Sequence, residues 1–120
     1  MKTHIKVINI PTDIYQNVEN NYTLEENIDI KVGETLEITD NIYRIVYGEI
    51  EVVNGVSYRP CHREILGNDQ DLSFKVIAIK HFIDRENYYD KIINIEFTND
   101  TINKIRNIIN IDNNVKDIQL

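Results

Sequence analysis

"LSFKVIAIKHF", Leu72–Phe82, is the stretch on which the fold turns. Its density of β-branched and aromatic residues reads as a strand, with Phe74, Val76 and Ala78 on one face and Ile77 and Ile79 on the other. A strand apolar on both sides belongs in the middle of a sheet or between two layers.

Reading upstream, "GNDQD" (Gly67–Asp71) has turn composition and is expected to end a preceding strand. Before it, "IYRIVYGEIEVV" and "VSYR" flank Asn54-Gly55, the strongest short hairpin signal, because both central residues of a type I′ turn take positive φ. "TDN" (Thr39–Asn41) reads as another turn, and "IDIKVGETLEI" (Ile28–Ile38) as two alternating runs around Gly33-Glu34. Thr3–Ile10 has strand character and stops at Pro11, which cannot continue a ladder. Thr12 or Asp13 is placed to cap a short helix through Val18, with Ile14 and Val18 spaced i, i+4.

Downstream, "DRENYYD" is an aromatic-bearing loop and "KIINIEF" a further strand. In "NDTINKIRNIINI" the residues Ile102, Ile105 and Ile109 recur with helical period behind a cap at Asn99 or Asp100. The expected fold is mainly β (α+β). It is a curved antiparallel sheet, or a small barrel or roll of hairpins, with one C-terminal helix packed on it. No linker or repeat divides residues 1–120, which are read as a single domain.

Composition narrows the function classes. The chain of 120 residues carries a net charge of −7, which argues against non-specific nucleic-acid binding through clustered cations. A single cysteine excludes an internal disulfide, "MKTHIKVINIPTD" lacks the continuous apolar run of a signal peptide, and no stretch has the length of a membrane span. The expected setting is cytoplasmic, without membrane contact. Twenty-three isoleucines and sixteen asparagines against one alanine point to AT-rich codons, hence to a low-GC bacterium or a phage or plasmid within one. For a phage product the compartment is the host cytoplasm.

"SYRPCHRE" (Ser57–Glu64) concentrates rare polar residues. In an extended segment Arg59 and Arg63 project to the same side, so they form a candidate clamp for an anion, with His62 beside them. The R-x-x-x-R spacing resembles that of PilZ domains, which bind a cyclic dinucleotide, but Val76 stands where that family's second motif has glycine, and membership is rejected. "VGETLEITDNIYRIVYGEIEVVNG" is similar to the opening half of jelly-roll domains such as cupins and cyclic-nucleotide-binding domains, although the phosphate-binding cassette and the metal histidines are missing.

Cys61 and His62 point to opposite faces of a strand, a poor arrangement for thiolate activation. His4, His62, His81 and Cys61 have no metal-ligand spacing. Neither catalysis, a metal nor a cofactor is therefore expected. Around the 84–90 loop, Phe82, Arg85, Tyr88 and Tyr89 offer an aromatic and cationic surface fit for an interface or for stacking a base. Arg106 is a further candidate cation, on the helix.

The leading expectation is a small non-enzymatic binding protein, phage- or plasmid-encoded, that acts stoichiometrically as an anti-defence factor. It would sequester an anionic small molecule such as a nucleotide, or block a host protein. The alternative is a virion or assembly component, a homo-oligomer packing through β edges and its aromatic loop.

Overall fold

In the computed structural model, which describes residues 2–86 and 88–118, strands account for most of the chain. The elements are β1 (Lys2–Val7), a 3₁₀ turn (Tyr15–Asn17), β2 (Asn21–Leu24), β3 (Thr35–Tyr47), β4 (Glu51–Val53), β5 (Val56–Tyr58), β6 (Cys61–Ile83), β7 (Tyr89–Phe97) and α1 (Asn99–Ile118). Five strands form one curled sheet in the order β2-β1-β7-β6-β3, and β4-β5 form a separate two-stranded piece.

The sheet is mixed where an antiparallel one was expected, because β1 runs parallel to β7 while its neighbour β2 turns back antiparallel to it. Parallel pairing needs a long crossover. Here residues 8–88 supply it, and nothing local in the sequence announces it.

The core lies on one face of the curl. The cross-strand pairs Ile5↔Ile93, Val7↔Ile95, Val76↔Ile95, Phe74↔Phe97, Leu36↔Phe74 and Ile38↔Leu72 put their side chains on that face. Ile14 and Val18, flanking the 3₁₀ turn, and Ile105 of α1 complete the cluster. Ile14 and Val18 are both fully buried. Their segment, however, forms only one 3₁₀ turn, which begins after Ile14 without a side-chain cap. Thr98, rather than Asn99 or Asp100, caps α1, its Oγ1 accepting from the Thr101 backbone N–H at 3.4 Å. The cap lies one residue earlier because the strand runs to Phe97.

Irregular pairing at two places reshapes β6. Gly67–Asp71 is no turn: β6 runs through it, with Asp69 at φ 49° absorbing the extra residues opposite Ile42. The Asp69 N–H donates to Asn41 Oδ1 at 3.0 Å, and Thr39–Asn41 correspondingly lies within β3. Farther on, Ile77 is an extra residue between the pairs Val76↔Ile95 and Ala78↔Asn94. That insertion reverses the alternation, so Ile79 follows Val76 onto the core face and Ala78 goes to the other, contrary to the face assignment expected from strict period two.

Residues 28–34 form no strand. They cross the sheet as an irregular strap held by two buried donors, Thr3 Oγ1 to the Glu26 carbonyl at 2.6 Å and Lys91 Nζ to the Ile28 carbonyl. The strap rejoins the sheet through reciprocal backbone bonds, Gly33 N–H to Val76 O and Val76 N–H to Glu34 O, both 2.9 Å.

The radius of gyration is 18.1 Å, with extents of 55 × 42 × 21 Å. A compact chain of this length has about 14 Å. The excess comes from an arm, residues 43–65.

Candidate functional site: a projecting β arm

Beyond the bulge, β3 and β6 continue as a two-stranded ribbon from Tyr43↔Ile65 to Tyr47↔Cys61. The Gly48 N–H donates to the Pro60 carbonyl at 2.8 Å and carries the ribbon into the β4-β5 hairpin, where Glu51↔Tyr58, Val52↔Ser57 and Val53↔Val56 pair. Asn54 and Gly55 close it with φ of 53° and 78°, as a type I′ turn requires.

The arm is apolar and uncovered. Tyr47, Ile50, Val52, Val53, Val56, Tyr58 and Ile65 all stand exposed, half of the large exposed hydrophobic residues found among the described residues. Val53 and Val56 share one face of the hairpin with Glu51 and Tyr58, while Val52 faces the other way. Each face of the tip therefore presents apolar side chains to water beside polar ones. The Tyr58 hydroxyl donates to Glu51 at 2.5 Å, and that hydrogen bond to a carboxylate raises the Tyr58 pKa.

At its root the arm is fastened on both sides. Arg63 Nη1 reaches Glu19 at 2.7 Å, its Nη2 donates to the Val18 carbonyl at 3.2 Å, and its guanidinium lies 5.3 Å from the Tyr43 ring centre. Asn17 Nδ2 donates to the Tyr43 carbonyl at 2.7 Å. On the opposite face Arg44 bridges Glu64 (3.1 Å) and Asp112 of α1 (3.2 Å). His62 lies 3.3 Å from the same Glu64, and the hydrogen bonds from His62 and Arg44 hold the Glu64 carboxyl below its ordinary range. Between arm root and helix lies an open apolar notch of about 290 Å³, lined by Leu66, Ile108, Ile111 and Asp112.

The eight candidate residues fall in three places. Arg59, His62 and Arg63 are on the arm. Arg59 lies 5.7 Å from the centre of the Tyr47 ring and donates to the Gly48 carbonyl, beside a hollow of about 240 Å³ lined also by Ile50, Ser57 and Tyr58. Phe82, Arg85, Tyr88 and Tyr89 lie at the far end of β6, where Phe82 and Tyr88 are exposed and Tyr89 stacks on His81. Arg106 is on α1, bound through two nitrogens to Asp13 at 2.7 and 3.0 Å. The two arginines of the R-x-x-x-R spacing thus each cover a tyrosine, and Tyr43 and Tyr47 stand four residues apart on β3. The remaining five candidates lie elsewhere. Among the described residues no group of three or more His, Cys, Asp or Glu is placed to hold a metal ion, and no helix is long and apolar enough to cross a membrane.

The apolar tip was the feature missed in sequence. Its signal was present: Val52 and Val53 are adjacent, which in a strand puts an apolar side chain on each face. That pattern ordinarily marks a buried strand, and only the fold shows that none of the described residues covers this one.

Comparison of the chain with protein-family models, curated proteins and solved structures gives no match.

Proposed function

We propose that this protein is a structural subunit, incorporated into a protein assembly through its arm, and not a catalyst. The observation that carries the reading is the β4-β5 hairpin, whose two faces both expose apolar side chains to water. A lone two-stranded hairpin is marginal in water, and a contiguous apolar surface of this kind marks a site of protein contact. The arm's arginines support the same reading, since they are occupied in stacking on tyrosines and in fastening the arm to the body.

The test compares the wild-type chain, purified gently from its source cells, with the double variant Val53→Asp/Val56→Asp. Both substituted residues are at least half exposed, so the body's fold is left intact. A wild type that runs in a particle well above 14.1 kDa, with the variant released as a free chain, supports incorporation through the arm. Two free chains of 14.1 kDa would sink it. Native mass spectrometry of the same material tests the sequestration alternative, which requires an anionic adduct that disappears in Arg59→Ala/Arg63→Ala.

A further inference from the structure

We infer that the arm's partner is an extended protein segment that lies along the Tyr47–Arg59 face of the arm. It sets an acidic side chain on the Arg59 guanidinium and apolar side chains two residues away on either side. The inference rests on the assembly reading above and adds to it the docking face and the chemistry of the partner.

The two faces of the arm differ in charge. Tyr43, Ile45 and Tyr47 of β3 share one face with Ile65, Arg63 and Cys61 of β6. Arg59 carries that face into the hairpin: it lies 5.7 Å from the Tyr47 ring centre and lines the hollow of about 240 Å³ with Ile50 and Ser57, and Ser57 pairs with Val52. The paired carboxylates are elsewhere. Glu64 lies across from Arg44 on the other face of the ribbon, and Glu51 across from Tyr58 on the other face of the hairpin. The first face is thus aromatic, aliphatic and cationic, with no acid among its paired residues.

Arg59 is the cation left unanswered there. Arg44, Arg63 and Arg106 each meet a carboxylate, whereas Arg59 meets none among the described residues. It is nevertheless held in place, stacked on Tyr47 with its Nε donating to the Gly48 carbonyl at 3.2 Å. A guanidinium fixed in that way keeps its terminal N–H donors in one plane, the arrangement a carboxylate accepts in bidentate fashion. Tyrosine and arginine are also the residue types on which interface energy concentrates.

Size and spacing choose among anions. The hollow is smaller than the roughly 300–1,000 Å³ of sites that enclose a small molecule, so it suits a side chain better than a nucleotide. Side chains on one face of the ribbon recur about every 6.7 Å, and a second extended chain laid along it has the same period. An acid over Arg59 therefore brings its neighbours two residues away over Tyr47 on one side and over Ile50 and Val52 on the other. A nucleic-acid strand calls for cations in a row, and Arg63, the other arginine of this face, is already engaged by Glu19 at 2.7 Å. The acidic body does not repel such a segment strongly. Residues 43–65 hold three arginines and three glutamates, so the net charge of −7 resides in the rest of the chain. Tyr47, under Arg59, lies four residues or about 13 Å beyond Tyr43 at the root, more than the Debye length of about 8 Å at physiological salt.

Residues 43–65 contain no lysine, so Arg59→Lys places a single amine in the arm. The full-length variant, isolated in its particle from source cells, is treated with a water-soluble carbodiimide, which joins an amine to a carboxylate in contact with it. The expected product is a heavier species in which position 59 is linked to an Asp or Glu that has apolar residues two positions away on each side. Wild type treated alike should give no link through an arm amine. Arg59→Glu should lower the share of the chain found in the particle by about tenfold or more, with circular dichroism unchanged because Arg59 is exposed. A link to an acid without apolar neighbours, no link at position 59 while other lysines react, or retention of Arg59→Glu at the wild-type level would overturn the inference. So would release of the wild type by nuclease, which would make the partner a nucleic acid. If Val53→Asp/Val56→Asp frees the chain and Arg59→Glu does not, this inference fails and the assembly reading stands. If the wild type is a free chain of 14.1 kDa, both fail.

Discussion

Tyr22 and Asp40 belong to the two outermost strands of a five-stranded sheet, and yet the Tyr22 hydroxyl donates to the Asp40 carboxylate at 2.6 Å. The sheet curls far enough for its edges to be joined by one side-chain hydrogen bond. Burial, and then the adjacent Asp40 charge, raise the Tyr22 pKa well above the ordinary tyrosine value.

Removing that bond with Tyr22→Phe should destabilise the fold by about 1–3 kcal/mol, since it leaves a half-buried carboxylate short of a donor. The sign of the pH dependence follows from the raised pKa. The tyrosine's contribution is complete below its unfolded pKa of about 10 and is lost as pH rises from there toward the folded value. Urea unfolding of the wild type should therefore weaken above about pH 10, and more steeply than that of Tyr22→Phe. Parallel alkaline curves for the two proteins would refute the assignment.

Body and arm should respond separately to substitution. Phe74, fully buried and tilted against Phe97 with ring centres 4.6 Å apart, belongs to the body, and Phe74→Ala should cost about 3–5 kcal/mol in urea. Gly55 sits at φ 78° with nothing within 4 Å of an added Cβ, so Gly55→Ala strains only the turn, by roughly 1–2 kcal/mol. Its effect should appear as faster hydrogen exchange at residues 51–58, with the body's urea midpoint unmoved. A shift of that midpoint as large as that of Phe74→Ala would show the arm and body to be one cooperative unit.

Much of this division was legible in the sequence. Asn54-Gly55 announced the hairpin by its backbone requirement alone, and the period of Ile102, Ile105 and Ile109 announced α1, whose Ile105 is fully buried. What misled was composition inside long strands. Gly67–Asp71 has every residue of a turn, but Asp69 takes the left-handed conformation singly, as a bulge, and the pairing continues on either side. The extra residue Ile77 is as apolar as its neighbours and left no mark in the pattern. Parallel pairing of β1 with β7 depends on partners more than eighty residues apart, and β2, with Leu24 and Thr23 exposed, offers too little alternation to be read. For the candidate site, the arginine spacing drew attention to residues 57–64, which overlap only the second strand of the uncovered tip.

Arg63 should prove irreplaceable by lysine. Its planar guanidinium serves Glu19, the Val18 carbonyl and the Tyr43 ring together, a geometry that an ammonium cannot reproduce. Arg63→Ala should cost about 1 kcal/mol, a modest figure because the side chain is partly exposed. Arg63→Lys should recover little of it. Exchange at residues 43–47 should quicken in both variants, and full recovery by lysine would contradict the stacked, multidentate role.

On the acid side two carboxylates are held below their ordinary range, Asp13 by its hydrogen bonds with Arg106 and Glu64 by those with His62 and Arg44. A depressed folded pKa contributes stability that is present above the unfolded value, about 4, and disappears as pH falls through the folded one. Both pairs brace α1 or the arm root, so acidification below about pH 4 should loosen the helix before the sheet. Asp13→Asn should make the helix's thermal midpoint less sensitive to pH in that range. Equal sensitivity in wild type and variant would remove the Asp13–Arg106 pair from the account.

The hydrogen bond from Asn17 to the Tyr43 carbonyl marks a boundary on β3. An outer strand with unanswered amides and carbonyls is a template on which further chains can stack without limit. Here one side chain blocks that template at the point where the ribbon leaves the body, and Arg63 with Glu19 crowds the same place. Beyond it, residues 44–47 of the same edge continue into the arm. The contacts that aim the arm thus also guard the edge strand at its root, where exposed isoleucine and valine would otherwise favour edge-to-edge stacking.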